Sequence, residues 1–180
     1  MPHDITALAR PVRLLLFDVD GVLTNGTVLI HADGRESKQF DIRDGTGIVL
    51  AERAGLRVGL LSARHSAATA ERASQLRIPI VRQGAIDKLE TYRDIIASEG
   101  VHDDQVAYMG DDVLDLPVLA RVGLSAAPAD AMPDVLPRVA WVSCQRGGHG
   151  AVREMIELVL KAQGRWEELL AQWTEAPSRV

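Results

Sequence analysis

Short apolar runs at 13–17, 57–61, 78–81, 105–109 and 139–142 alternate with helical patterns along this chain. Those helical patterns lie near 47–54, 66–75, 87–99, 114–120 and 151–163. Parallel strands need a long crossover between them, usually a helix, so the alternation predicts βαβ units around a parallel sheet. The expected class is α/β, a doubly wound Rossmann-like sheet that binds its ligands at the carboxyl edge of the strands. A chain of 180 residues can bury one good core and is short for two, so 1–180 is expected to form a single domain.

One segment interrupts the alternation. Residues 27–30 and 36–40 are strand-like pieces around His31-Ala32-Asp33-Gly34-Arg35, and Asp-Gly is a strong hairpin signal. Residues 24–40 are therefore expected to form a β-hairpin flap over the site, with no segment long enough for a separate cap domain. In the tail, 164–180, the spacing of Trp166, Leu169, Leu170 and Trp173 makes one apolar helical face. That face packs either on the chain's own surface or against a neighbouring subunit.

Charge and composition exclude several partners. The net charge is −5 and no basic stripe is present, so nucleic acid is not expected. The single Cys144 allows no internal disulfide and fits a reducing cytoplasm. No charged segment followed by an apolar core opens the sequence, and the apolar runs are far too short to cross a bilayer. A cytoplasmic protein without a membrane partner is the expectation.

The chemistry is concentrated at two strand ends. The run Leu14-Leu15-Leu16-Phe17 delivers Asp18 and Asp20, and Gly21 lets the chain turn away. Crowding two carboxylates is unfavourable unless a cation, a proton or a reaction uses them. The run at 106–109 ends the same way, in Gly110-Asp111-Asp112-Val113-Leu114-Asp115. Helix capping would explain Asp111 or Asp112 alone. It does not explain why two strand ends carry one acidic design. In a doubly wound sheet both ends can converge on one crevice, where hard oxygen ligands favour Mg²⁺ together with a substrate phosphate. Ser62 ends another strand, where a hydroxyl and nearby N–H groups can hold phosphate oxygens. Lys88 opens a helix and can supply the cation that a phosphate beside carboxylates needs.

The ordered set Asp18-Val19-Asp20-Gly21, Ser62, Lys88 and Gly110-Asp111-Asp112 with Asp115 resembles the four motifs of the haloacid dehalogenase superfamily. The resemblance implies phosphoryl transfer, with Asp18 as nucleophile and Asp20 as the acid and base. It implies that Ser62 and Lys88 hold the phosphoryl oxygens. Mg²⁺ would bind Asp18, the main-chain carbonyl of Asp20, and Asp111, with Asp112 and Asp115 supporting. The second aspartate of the hook fits phosphatases and phosphotransferases rather than dehalogenases.

A closer resemblance spans nearly the whole chain. Leu23-Thr24-Asn25-Gly26, the hairpin, Phe40-Asp41-Ile42-Arg43-Asp44-Gly45, Val122 to Ala131, and Gly147-Gly148 through Glu154 are similar to the capless 3-deoxy-D-manno-octulosonate 8-phosphate phosphatases. That family implies a homotetramer whose neighbouring subunits help close each site, acting in lipopolysaccharide precursor synthesis. It also implies that Arg64 contacts substrate, and a guanidinium fork suits a sugar carboxylate. Asn25 stands where the family usually has Asp, and Ser62-Ala63-Arg64 replaces the commoner Thr-Gly-Arg or Ser-Gly-Arg. Two other readings remain at this level. One is a phosphatase for a nine-carbon acidic sugar phosphate such as deaminoneuraminate 9-phosphate. The other is a non-enzymatic phospho-acceptor domain.

Overall fold

The computed structural model describes residues 4–174. Its first strand, β1 (Leu14–Phe17), is buried along its whole length. Leu15 and Phe17 enter one core layer, while Leu14 and Leu16 enter the other. This two-sided burial is what a continuous apolar run without alternation produces in a central parallel strand.

Around β1 the sheet is completed by β4 (Arg57–Leu61), β5 (Ile80–Arg82), β6 (Val106–Met109), β7 (Leu124–Ala127) and β8 (Trp141–Val142), after a separate hairpin of β2 (Leu29–Ile30) and β3 (Glu36–Ser37). The order across the sheet is β5-β4-β1-β6-β7-β8, with every neighbouring pair parallel. In chain sequence that is third, second, first, fourth, fifth, sixth, the doubly wound order expected. The chain reverses its direction of travel between β1 and β6. Leu14 is in register with Val106 and Phe17 with Met109, so both strands end at the same height. Asp18 N–H then donates to Met109 O at 3.0 Å, tying the two ends together.

Helices cover both faces. On one side lie α1 (Ile5–Ala9), α2 (Ile42–Arg53), α6 (Ala151–Ala162) and α7 (Trp166–Thr174), and on the other α4 (Lys88–Glu99) and α5 (Leu116–Leu119). The remaining helix, α3 (Ala67–Gln75), adds Ala73 to the first layer. In α6, Val152, Met155, Ile156, Val159 and Leu160 are all fully buried, the three-and-four spacing of a core-facing helix. Gly150 gives α6 no side-chain cap, and Asp44 of α2 supplies one from across the fold. Its carboxylate accepts from Gly150 N at 3.2 Å and Arg153 N at 2.8 Å.

Most element boundaries agree with the sequence reading, and the departures have physical causes. Helix α2 starts at Ile42 rather than 47, because Gly45 and Gly47 suppress the helical signal there. Both glycines serve packing: a Cβ on Gly45 would strike Arg72, and one on Gly47 would lie 3.0 Å from Arg153 Cδ. The expected helix at 114–120 divides into a 3₁₀ turn, Val113–Asp115, and the short α5. Strand β7, Leu-Ser-Ala-Ala, has no β-branched residue, and α1 is one short turn-rich helix capped by Asp4; the sequence patterns marked neither. The hairpin is present, with Ile30 paired to Glu36 and Leu29 to Ser37. In the tail, Trp166 and Leu169 are buried in the chain's own core while Leu170 is partly exposed. The side chain of Trp173 and residues 175–180 of the expected 164–180 tail lie outside what is described.

Candidate active site

The loop after β1 is shaped by one buried hydroxyl. Thr24 Oγ1 donates to Val19 O at 3.3 Å and accepts from Gly21 N at 3.3 Å and Gly26 N at 3.2 Å. Gly21 has φ +92°, and a Cβ there would overlap the Asp111 carboxylate. Only glycine both adopts that conformation and leaves room for the second acidic cluster. Gly147 and Gly148 pack against the same loop, with Gly148 N–H donating to Val22 O at 2.8 Å.

The expected convergence occurs. Asp18, Asp20, Ser62, Arg64, Lys88, Asp111, Asp112 and Asp115 all line one cavity of about 190 Å³ at the carboxyl edge of the sheet. Asp18, Asp111 and Asp115 each place a carboxylate oxygen within 4.8 Å of the others. Ser62 is buried at the end of β4, and its Oγ accepts from Arg64 N at 3.3 Å, which points the loop back into the cavity.

Lys88 is the first residue of α4, after the Asp87 cap, and its side chain is buried. Its Nζ lies 2.6 Å from Asp115 Oδ1 and 3.1 Å from Asp18 Oδ2. Burial works against its charge, yet Asp18 and Asp115 together hold its pKa above the usual lysine value. Lys88 is therefore an ammonium, as a phosphate site requires.

Asp115 is fully committed inside the protein. Oδ1 accepts from Lys88 and from the Tyr108 hydroxyl, in a short contact. Oδ2 accepts from the backbone N–H groups of Asp111 at 3.0 Å and Asp112 at 3.1 Å. It lies close enough to join the other two carboxylates around an ion, but each of its oxygens already accepts two hydrogen bonds, an arrangement that suits organising the site more than ligating. Asp112 is exposed, and its carboxylate accepts from Val113 N, capping the 3₁₀ turn. Capping thus accounts for Asp112, whereas it does not account for Asp111.

Asp111 is a different kind of group. Its Oδ1 is buried without a hydrogen-bond partner. Burial, then the charges of Asp18, Asp115 and Asp112, push its pKa up to about 8. Burial and Asp115 also raise Asp18, despite the nearby Lys88. With all three carboxylates ionised, one ammonium would leave two excess negative charges, and Asp111 Oδ1 is already an orphaned oxygen. A small divalent cation with oxygen ligands answers both, so Asp18 and Asp111 fit Mg²⁺.

Sequence reasoning missed two residues at this site. Tyr108 lies within an apolar strand, where nothing in the pattern marks its hydroxyl as reaching Asp115. Lys38 follows β3 and contacts both Asp20 oxygens, at 2.6 and 2.8 Å. Its reach depends on where the hairpin folds, which local spacing does not encode. Arg64 also approaches Asp20, with Nε 3.7 Å from Oδ2, and it pairs with Glu36 Oε2 at 2.9 Å.

No protein-family model matches the chain. Individual proteins do. The 3-deoxy-D-manno-octulosonate 8-phosphate phosphatase of Escherichia coli K12 is 40% identical over 169 residues, which are 94% of this chain and 90% of that protein. The crystal structure of the phosphatase of the same name from Yersinia pestis superposes with a TM-score of 0.90 at 41% identity, covering 91% of this chain and 89% of that one. The Moraxella catarrhalis phosphatase, crystallised with a magnesium ion, a phosphate ion and a KDO molecule, gives a TM-score of 0.92 at 30% identity, covering 94% of this chain and 98% of that one.

Proposed function

Because this chain belongs to the haloacid dehalogenase superfamily, and within it to the capless 3-deoxy-D-manno-octulosonate 8-phosphate phosphatases, we propose that it hydrolyses this eight-carbon acidic sugar phosphate with Mg²⁺ as cofactor. The products are the free sugar acid and phosphate, a step in lipopolysaccharide precursor synthesis. The observation that carries the reading is the single cavity joining Asp18, Asp20, Ser62, Lys88 and Asp111.

In the proposed mechanism an Asp18 carboxylate oxygen attacks phosphorus and the bond from phosphorus to the sugar oxygen breaks. Asp20 gives its proton to that leaving oxygen. Water then attacks the aspartyl-phosphate, Asp20 takes a proton from it, and Asp18 is released as a carboxylate. Ser62 and Lys88 hold the phosphoryl oxygens through both displacements. Mg²⁺ held by Asp18, Asp111 and the main-chain carbonyl of Asp20 would supply positive charge against the transferring group when bound. Asp115 and Tyr108 keep Lys88 in place, and Lys88 offsets the repulsion between a phosphate dianion and Asp18. Arg64 stands at the cavity rim to receive the sugar carboxylate.

The same proposal includes a homotetramer. Leu29 and Ile30 on the hairpin are 60% and 71% exposed, an apolar edge suited to a neighbouring subunit that closes the site. No helix among the described residues is long and apolar enough to cross a membrane.

The test is phosphate release from the eight-carbon and a nine-carbon acidic sugar phosphate with Mg²⁺, for the unaltered protein and Asp18→Asn. Preference for the eight-carbon ester and loss of turnover in the variant are expected. Equal or reversed preference would overturn the substrate, and retained turnover in Asp18→Asn would overturn the nucleophile. Solution mass gives the assembly, with a monomer counting against the tetramer.

A further inference from the structure

The Lys38 side chain has no solvent exposure, although it projects from a two-stranded hairpin whose neighbouring residues are largely exposed. Surface hairpin lysines ordinarily keep the ammonium in water. A buried ammonium is costly unless a carboxylate pairs with it. The partner here is Asp20, contacted through both oxygens at 2.6 and 2.8 Å.

This pairing sets Asp20 apart from the other acids. Asp18, Asp111 and Asp115 cluster around the proposed ion position and Lys88, whereas the Asp20 carboxylate is drawn to the hairpin side of the cavity. The same return segment of the hairpin carries Glu36, two residues before Lys38, and Glu36 holds Arg64. Residues two apart in an extended segment share a face. One face of the hairpin therefore contacts both groups assigned to the leaving-group side: Lys38 on Asp20, and Glu36 on Arg64.

We propose that Lys38 is a positioning residue for the leaving-group step, fixing the Asp20 carboxyl toward the departing sugar oxygen and making that step depend on hairpin placement. The inference rests on the reading of Asp20 as the acid and base of the phosphatase. Lys38 keeps its own proton throughout: it donates to Asp20 Oδ2, which leaves Oδ1, accepting no hydrogen bond, to carry the proton that moves. The proton that moves travels from Asp20 to the sugar oxygen as the phosphorus–oxygen bond breaks, and returns to Asp20 from the attacking water. A positioned acid contributes most where the leaving group is a poor one, so a sugar alkoxide depends on it and a nitrophenolate hardly does.

The experiment compares the full chain, Lys38→Met, Lys38→Gln, Asp20→Asn and the double variant Asp20→Asn with Lys38→Met, all with Mg²⁺. Two rates are read: kcat on the sugar phosphate, and the first-turnover release of nitrophenolate from 4-nitrophenyl phosphate. Lys38→Met should lower the first by about tenfold or more and the second by less than about threefold. Lys38→Gln retains an N–H donor and should keep more of the sugar-phosphate rate. The double variant should be no slower than Asp20→Asn, because the two residues act as one unit. Equal losses on both substrates, no loss, or additive losses in the double variant would overturn the role. If Lys38→Met melts before assay, the two-substrate comparison is made with Lys38→Gln and decides in the same way. Full activity in Asp20→Asn would instead sink the acid–base reading, while loss there with none in Lys38→Met would sink only the role of Lys38.

Discussion

Lys88 lies closer to Asp115, at 2.6 Å, than to Asp18, at 3.1 Å. The cation is thus anchored by a carboxylate to which the proposed mechanism gives no bond-making step, and is offered from there to the proposed nucleophile, Asp18. Asp115 also receives the Tyr108 hydroxyl and two backbone N–H groups from the turn that carries Asp111. One side chain sets both the phosphate cation and the proposed metal ligand.

Asp115→Asn should therefore fail in two ways. An amide cannot accept at both positions, so it meets either Lys88 or the Asp111 and Asp112 N–H groups with a donor of its own. Breaking a buried charge pair from one side is costly, and Lys88 would keep only the longer pair to Asp18, so a loss of about 3 kcal/mol in unfolding free energy is expected. Denaturant unfolding measures it. At conditions where the variant is folded, kcat should fall by about tenfold or more while the KM for Mg²⁺ rises. A variant with wild-type stability and turnover would show that Lys88 is held some other way.

The raised acids predict how pH and metal act on stability. Burial and neighbouring carboxylates push Asp111 in the folded protein up to about 8, well above an ordinary aspartate in the unfolded chain. The folded state keeps a proton that the unfolded state has released, so the metal-free protein is most stable below the unfolded pKa. Stability then falls as pH rises through the folded value. Asp18, raised by burial and by Asp115, contributes in the same direction. Mg²⁺ competes with those protons, so its stabilising effect grows over the same range. The metal-free Tm should drop between about pH 5 and about pH 8, and the Tm increase on adding Mg²⁺ should be larger at the higher pH. A metal-induced shift that is the same at both ends would contradict this account. In Asp111→Asn both effects should shrink.

The legibility of the sequence followed the range of the interactions involved. β1 and β6 were readable because four consecutive apolar residues, bounded by glycine and aspartates, describe a central parallel strand and its carboxyl end. Asp18, Ser62, Lys88 and Asp111 were readable because each sits at the end of a strand or the start of a helix, and the doubly wound order brings those ends together. Asp115 was readable as a member of the cluster. Its task was not, since all its bonds depend on Tyr108 and on a turn whose shape no local pattern gives. Lys38 and Thr24 are ordinary polar residues in sequence, and only the path of the loop and hairpin aims them inward. β7 escaped notice because small residues pack it, giving no β-branched signal.

Substrate recognition meets an internal competitor. Arg64, the proposed contact for a sugar carboxylate, is half exposed, yet its Nη2 already pairs with Glu36 at 2.9 Å. Glu36 is itself held as a carboxylate, its pKa lowered by the nearby Ser66 hydroxyl and by the charges of Lys38 and Arg64. An acidic substrate must share or displace that partner, whereas a neutral sugar phosphate need not engage Arg64. Glu36→Gln removes the competing charge and keeps the shape. Its KM for the acidic sugar phosphate should fall by about two- to fivefold, with kcat little changed, the mark of binding gained equally in ground and transition states. Arg64→Ala should raise the same KM by about tenfold or more, since a charge-assisted pair to carboxylate is lost. Neither variant should move the KM for a neutral sugar phosphate by more than about twofold. Steady-state kinetics on the two substrate classes decides the matter: an Arg64→Ala effect of equal size on both would place Arg64 on the phosphate rather than on the sugar acid.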